Sequence, residues 1–174
     1  MQAGKPKYDA QDVTRALSAL ILMTSNISSP SFLTLTSASQ RATKAARGSS
    51  AKKNTRCELL LRRELWRRGL RYRVNCPELP GCPDIVFSKH KMLVFCDGDF
   101  WHGRDLQARL ARLKAGHNAP YWVAKIRTNV ERDRAITARL RAVGWHVVRV
   151  WETDILCDPT RITARIVAML KARL

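Results

Sequence analysis

Apolar residues recur at helical spacing in four stretches of the chain and cluster or alternate as in strands in four others. Val13, Leu17, Leu20 and Ile21 predict one amphipathic helix over residues 10–23, followed by a Ser/Thr-rich segment that reads as a linker. The next helix starts near Arg56: Thr55-Arg-Cys-Glu58 has the form of a capping box, Leu60, Leu61 and Leu65 supply the apolar face, and Gly69 supplies the stop. Leu70–Val74 alternates like a strand, and Pro77, Pro80, Gly81 and Pro83 then mark a turn. Two short apolar runs, Ile85–Phe87 and Met92–Cys96, flank the polar Ser88-Lys-His-Lys91 and predict a hairpin of buried strands.

Beyond Asp97-Gly-Asp-Phe-Trp-His-Gly103 a basic stretch without clear periodicity runs to about Ala119. A helix is expected from about Val130 to Val143, capped by Asn129 and ended by Gly144, with Ile136, Leu140 and Val143 on one face. Trp145–Trp151 reads as a strand. Asp158-Pro159 opens a last helix with Ile162, Ile166, Met169 and Leu170 along one side. The order helix, strand, hairpin, helix, strand, helix predicts an α/β sandwich around a mixed sheet. The globular domain is expected over residues 41–174, with residues 1–40 as a helix and Ser/Thr-rich extension.

Composition narrows the function. In 174 residues, 32 Lys+Arg against 14 Asp+Glu give a net charge of +18. A surplus of this size repels itself in the compact state, so a polyanion is the expected partner, nucleic acid before membrane surface. The five cysteines form no C-x-x-C pair and read as reduced thiols of a cytosolic protein. No apolar run approaches the roughly 20 residues of a membrane span. Asp9 and Asp12 in the flank of Ala16–Met23 argue against a signal peptide.

The hairpin carries the candidate chemistry. With its turn centred between His90 and Lys91, Asp84 faces Asp97, and directly opposed residues have Cβ atoms roughly 4.5–5.5 Å apart. Two like charges near 4 Å repel by about 4 kcal/mol at an effective dielectric near 20. A divalent cation would remove that repulsion, and hard carboxylate oxygens suit Mg2+. A turn shifted by one residue would instead leave both aspartates exposed at strand ends. His102 follows close enough to orient or deprotonate a water for metal-assisted phosphodiester hydrolysis.

Glu58 either closes its capping box or faces the same metal site. Phe100 and Trp101 either pack in the core or wedge between bases. From Lys44 to Arg73 there are 11 basic and 2 acidic residues, Lys52, Lys53 and Arg56 among them, as expected of phosphate contacts. Asn129 and Arg132 open the predicted 130–143 helix, where free N–H groups can hold a phosphate or a cap alone can suffice.

Taken together, seven segments carry a resemblance. They are Asn54-Thr-Arg-Cys-Glu58, Gly69-Leu-Arg-Tyr-Arg73, Leu79-Pro-Gly-Cys-Pro-Asp-Ile-Val-Phe87 and Val94-Phe-Cys-Asp-Gly-Asp-Phe-Trp-His-Gly103. They continue with Tyr121-Trp-Val-Ala-Lys-Ile126, Asn129-Val-Glu-Arg-Asp133 and Gly144-Trp-His-Val-Val-Arg-Val-Trp-Glu152. In order and spacing, residues 40–155 resemble the very-short-patch-repair (Vsr-type) DNA mismatch endonucleases of the restriction-endonuclease-like superfamily.

The resemblance implies a three-layer sandwich with a central mixed β-sheet flanked by helices, and a strand-specific nick beside a T:G mismatch left by deamination of 5-methylcytosine. It makes Asp84 and the backbone carbonyl of Cys96 metal ligands and puts Asp97 at an active-site position. His102 matches the active-site histidine, Glu58 the acidic residue of the first helix, and Phe100 and Trp101 the intercalating aromatics. The implied cofactor is Mg2+. The implied partner is double-stranded DNA with a T:G mismatch, met by a monomer in the bacterial cytosol or nucleoid, with mismatch-repair proteins as the further partner class.

A structural zinc of the family is not expected here. Asp99 stands for its first cysteine, Arg104-Asp-Leu106 for its His/Cys group, and Thr153 follows Glu152 where a cysteine belongs. The alternatives are a homing, restriction or defence nuclease of the same fold without mismatch preference, and a non-catalytic DNA-binding protein. Retained acidic residues facing phosphate argue against the last.

Overall fold

The computed structural model describes residues 53–173 and the isolated Leu35. The predicted helix over 10–23, the Ser/Thr-rich segment and Lys52 lie outside the described residues. Helix α1, Arg56–Arg67, starts where its capping box predicts: the Glu58 N–H donates to Thr55 Oγ1 at 3.4 Å, and Thr55 Oγ1 donates to Glu58 Oε1 at 2.8 Å. It buries Cys57, Leu61 and Leu65. It ends at Gly69, whose φ of +78° is open to glycine without strain.

Strand β1 is only Arg73–Val74, shorter than the predicted 70–74, because Leu70 and Tyr72 turn to pack against the core instead of joining the ladder. β2, Ile85–Phe87, and β3, Met92–Asp97, form the predicted hairpin. Its register differs from the expected one. Phe87 pairs with Met92 and Ile85 with Val94, because Ser88–His90 coils into a 3-10 turn that Lys91 closes in the left-handed region at φ 45°. The turn therefore centres between Lys89 and His90. Continued outward, that register sets Asp84 opposite Phe95, and Asp84 does not face Asp97.

The basic stretch after Gly103 is not a loop. It contains α2, Leu106–Lys114, and the next helix, α3, begins at Ala119 and runs to Ala142. Pro120 in the first turn of α3 needs no N–H partner, so the helix starts there, ten residues before its apolar periodicity becomes visible. Gly103, at φ +72°, lies so close to α3 that a Cβ there would stand 2.7 Å from Val130 Cγ2. β4, His146–Trp151, pairs in parallel with β3 and completes a four-stranded mixed sheet in the order β1-β2-β3-β4. A short α4, Glu152–Cys157, follows directly, and α5, Pro159–Lys171, starts at Asp158, whose side chain accepts from the Arg161 N–H at 2.8 Å.

The sheet has a core on each face. Leu61, Leu65, Ile85, Val94, Val148 and Ile166 join α1, α4 and α5 to one side. Val86, Leu93, Phe95, Leu140 and Val147 join α3 to the other. This is the predicted three-layer α/β sandwich. All five cysteines are free, and no helix among the described residues is long and apolar enough to cross a membrane.

Candidate active site at the end of the sheet

Where β3 leaves the sheet, the chain opens a cleft of about 610 Å³ lined by Glu58, Asp84, Cys96, Asp97, Trp101 and His102 among others. Asp84 sits just before β2, and its Oδ2 accepts the Cys96 N–H at 2.7 Å. Burial pushes its carboxyl up to about 6; the Cys96 N–H opposes the rise, while the charges of Glu58 and Asp97 add to it and that of Arg62 lowers it. Burial pushes the Cys96 thiol well up, which disfavours its thiolate form. In a strand the N–H and C=O of one residue point to the same side, so the Cys96 carbonyl faces the side to which its N–H donates, towards Asp84.

Glu58 is buried on the α1 wall. Its Oε2 accepts the Asn54 N–H at 3.0 Å and pairs with Arg62 Nη2 at 2.9 Å. Arg62 in turn donates to Asn54 Oδ1 at 2.7 Å and to the Asp84 carbonyl at 3.3 Å. Glu58 thus closes its helix cap and also lines the cleft. Arg56 and Lys53 are exposed, and Lys53 reaches the cleft rim.

The other wall is Asp97 and the loop through His102, backed by α3, whose own residues do not line the cleft. Asp97, expected to face Asp84 as a metal ligand, is buried with both oxygens on Arg149: Nε donates to Oδ2 at 2.6 Å and Nη2 to Oδ1 at 2.7 Å. His102 Nδ1 lies 2.5 Å from Asp133 Oδ2 and 3.6 Å from Asp97 Oδ1. Burial raises the Asp133 carboxyl, but the His102 hydrogen bond and the charges of His102, Arg149 and Arg132 outweigh it and hold Asp133 below its ordinary value. A histidine held at Nδ1 by an ionised carboxylate leaves Nε2 to take a proton, the arrangement of a general base.

Asn129 is not a helix cap. It lies inside α3, and its side-chain amide donates to the Trp101 carbonyl at 3.1 Å, which ties the aromatic loop to the helix. Arg132, likewise inside α3, is exposed and pairs with Asp133 at 3.2 Å. Phe100 and Trp101 are half-buried and pack edge to face at 4.9 Å between centroids. Trp122 of α3 stands behind both, at 5.9 Å and 6.2 Å.

Sequence reasoning gave no role to Asp133, Trp122, Arg149 or Glu152, which lines the cleft at the start of α4. Two signals were present. Asp133 falls on the helical stripe of Ile126, Val130, Thr137 and Leu140, and Arg149 is the one Lys or Arg in the apolar strand His146–Trp151. At the positions read as departures from a zinc site, Arg104 bridges Asp99 at 3.3 Å and Asp154 at 2.8 Å, and Thr153 donates to Asp99.

The family described as DNA mismatch endonuclease Vsr matches residues 36–108. The chain is 39% identical over 123 residues to a type II nicking enzyme, V.HpaIIP, of Haemophilus parainfluenzae, covering 71% of this chain and 86% of that one. It belongs to the Vsr family. A second type II nicking enzyme, V.NmeDIP of Neisseria meningitidis serogroup C, is 44% identical over 112 residues, 64% of this chain and 74% of its own. The DNA mismatch endonuclease Vsr of Escherichia coli (strain K12) is 38% identical over 102 residues, 59% and 64% of the two chains. A Vsr-type chain is a DNA endonuclease, so the cleft is its candidate active site.

Proposed function

We propose that this Vsr-family endonuclease nicks one strand of double-stranded DNA beside a T:G mismatch, with Mg2+ as cofactor, in very-short-patch repair of deaminated 5-methylcytosine in the bacterial cytosol. The observation that carries the reading is His102, which lines the same cleft as Asp84 beside Phe100 and Trp101 and whose Nδ1 lies 2.5 Å from Asp133 behind it. One carboxylate and one carbonyl are a hard, oxygen-only donor set, which suits a cation that keeps several waters. Asp84 and the Cys96 carbonyl would hold it. When bound, Mg2+ supplies charge neutralisation at the scissile phosphate and eases ionisation of water.

The remaining work falls to the chain. His102 Nε2 takes the proton of the attacking water as its oxygen bonds to phosphorus and the bond to the leaving oxygen breaks. Asp133 steadies the imidazolium that results. Asp97, its oxygens held by Arg149, serves here as an anchor of that pair and not as a ligand. Glu58 fixes the end of α1 and Arg62 behind Asp84. Phe100 and Trp101, backed by Trp122, enter the stack beside the weakened pair. Lys53 at the cleft rim and the exposed Arg56 and Arg132 neutralise phosphates, and Lys52 is assigned the same role by its place in the basic run of the sequence.

The test uses end-labelled duplexes carrying one T:G mismatch or the matched C:G pair, in several contexts, with Mg2+. A nick confined to the T strand of the mismatch, lost in Asp84→Ala and His102→Ala, is the expected result. Equal cutting of both duplexes discards the mismatch preference and favours a restriction or defence nuclease of the same fold. Tight, salt-sensitive binding without any cut discards catalysis.

A further inference from the structure

Arg149 is expensive where it stands. Its neighbours Val148 and Val150 are buried and its guanidinium lies 4.9 Å over the Phe95 ring. Burial opposes its charge, and only the Asp97 hydrogen bonds and the charges of Asp97, Asp133 and Asp84 outweigh that and hold it above its ordinary value. Removing an ion pair from water costs several kcal/mol per ion, and apolar replacements of similar volume are often neutral or stabilising. Packing alone therefore does not call for an arginine at this point of β4.

Most polar contacts of the guanidinium converge on the residues around the base. Nε and Nη2 grip Asp97 as a fork. The same Nη2 lies 3.4 Å from Asp133 Oδ2 and 3.4 Å from His102 Nδ1. Nη1 donates to the Asp133 carbonyl and to Thr137 Oγ1, each at 3.4 Å, so the fork also holds the turn of α3 that carries Asp133. Two carboxylates compete for one ring nitrogen here: Asp133 at 2.5 Å and Asp97 at 3.6 Å. With Asp97 gripped by Arg149, only Asp133 is left to hold His102. Without Arg149 the two carboxylates repel each other and both are open to the ring nitrogen, so His102 no longer has a single fixed partner.

Resting on the nuclease reading above, we propose that Arg149 is the positioning residue of the active site: its fork on Asp97 assigns His102 to Asp133 and so aims the general base. Three variants test it. Arg149→Met keeps the bulk and loses the charge, Arg149→Lys keeps the charge and loses the fork, and Asp97→Asn with Arg149→Met removes the pair together. Arg149→Met alone is expected to nick about 10²-fold more slowly in single turnover, with duplex affinity within about twofold. The double variant, which removes the competing carboxylate together with the fork, is expected to unfold at the parental denaturant midpoint and to recover most of the rate. Arg149→Lys is expected to recover little of that rate, because a point charge cannot grip two oxygens at once.

A readout that needs no cutting accompanies the rates: the ring resonances of His102 in nitrogen-15 spectra, assigned with His102→Gln. They are expected to report one Nδ1-bonded state in the parent and a shifted or doubled one in Arg149→Met. Parental nicking in Arg149→Met, no recovery of rate in the double variant, or unchanged His102 resonances in Arg149→Met, overturns the proposal. So does a rate loss that only follows the loss of folded protein. If the parent cuts no duplex, the nuclease reading fails, while the spectra still decide whether Arg149 sets the partner of His102.

Discussion

The two walls of the cleft are built by different means. On the α1 wall, Glu58 finds every partner within four residues, at Asn54, Thr55 and Arg62. On the α3 wall, His102 meets Asp133 across 31 residues and Arg149 meets Asp97 across 52. A local network forms with its helix and stabilises it. A long-range one exists only once the sheet and α3 have packed, so its geometry reports the whole fold. Losses on the α1 wall should therefore register as stability, and losses on the α3 wall as rate.

Asp84, where the walls meet, should show the largest effect and should separate the two quantities. Asp84→Asn is expected to lower nicking by roughly 10³-fold or more, since even residues that only support a metal ligand cost 10–100-fold. Its effect on stability has the opposite sign. Burial sets the folded carboxyl at about 6 against an ordinary value of 3.8, so the folded state binds the proton more tightly than the unfolded state does. Ionising it on the way from pH 4 to above pH 6 then destabilises metal-free protein, by on the order of 2–3 kcal/mol. Asp84→Asn escapes that loss. Denaturant titrations at pH 5 and pH 7.5 in chelator check it: the variant gains over the parent at both, by roughly twice as much at the higher pH, and equal gains at both would refute the assignment.

On the α3 wall, His102→Ala and Asp133→Asn are each expected to slow nicking by about 10²–10³-fold while the protein stays folded. The double variant should be little slower than the worse single one, because the pair works as a unit. Additive losses in single-turnover rates would separate the two residues and break the account of that wall.

For the α1 wall the expectation reverses. Glu58→Ala strands the Arg62 guanidinium in a buried position, at a cost of about 3 kcal/mol in denaturant stability. At a temperature where the variant remains folded, nicking should stay within a few-fold of the parent. A large rate loss without loss of stability would move Glu58 into the catalytic machinery and erase the contrast between the walls.

The same contrast explains what was legible in the sequence. The capping box of α1, the Asp158 cap and both hairpin strands were read correctly because each signal is local. The hairpin register was not: a 3-10 turn closed by a left-handed Lys91 moved it by one residue, and that separated Asp84 from Asp97. Asn129 read as a cap because Asn often caps, whereas α3 starts at Ala119 with Pro120, before the apolar stripe begins. The partners of His102 and Asp97 come from α3 and β4, and nothing near them in the chain announces those contacts. A carboxylate within a helical apolar stripe and a lone arginine in a buried strand were the only local traces.

The smallest expected effect refines the α3 wall at its rim. Trp122 touches Phe100 and Trp101 at 5.9 Å and 6.2 Å, and aromatic pairs contribute roughly 0.5–1.5 kcal/mol each beyond burial. Trp122→Ala leaves the wedge unsupported but removes no acid, base or ligand. Its expected loss is therefore about tenfold in the preference for a mismatched over a matched duplex, with Trp122→Phe recovering most of it. A fluorescent base placed next to the mismatch checks the cause, because an unsupported wedge unstacks it less. If the preference falls and the unstacking does not, Trp122 acts on the chemistry through α3, and the rim and the base beneath it are one device.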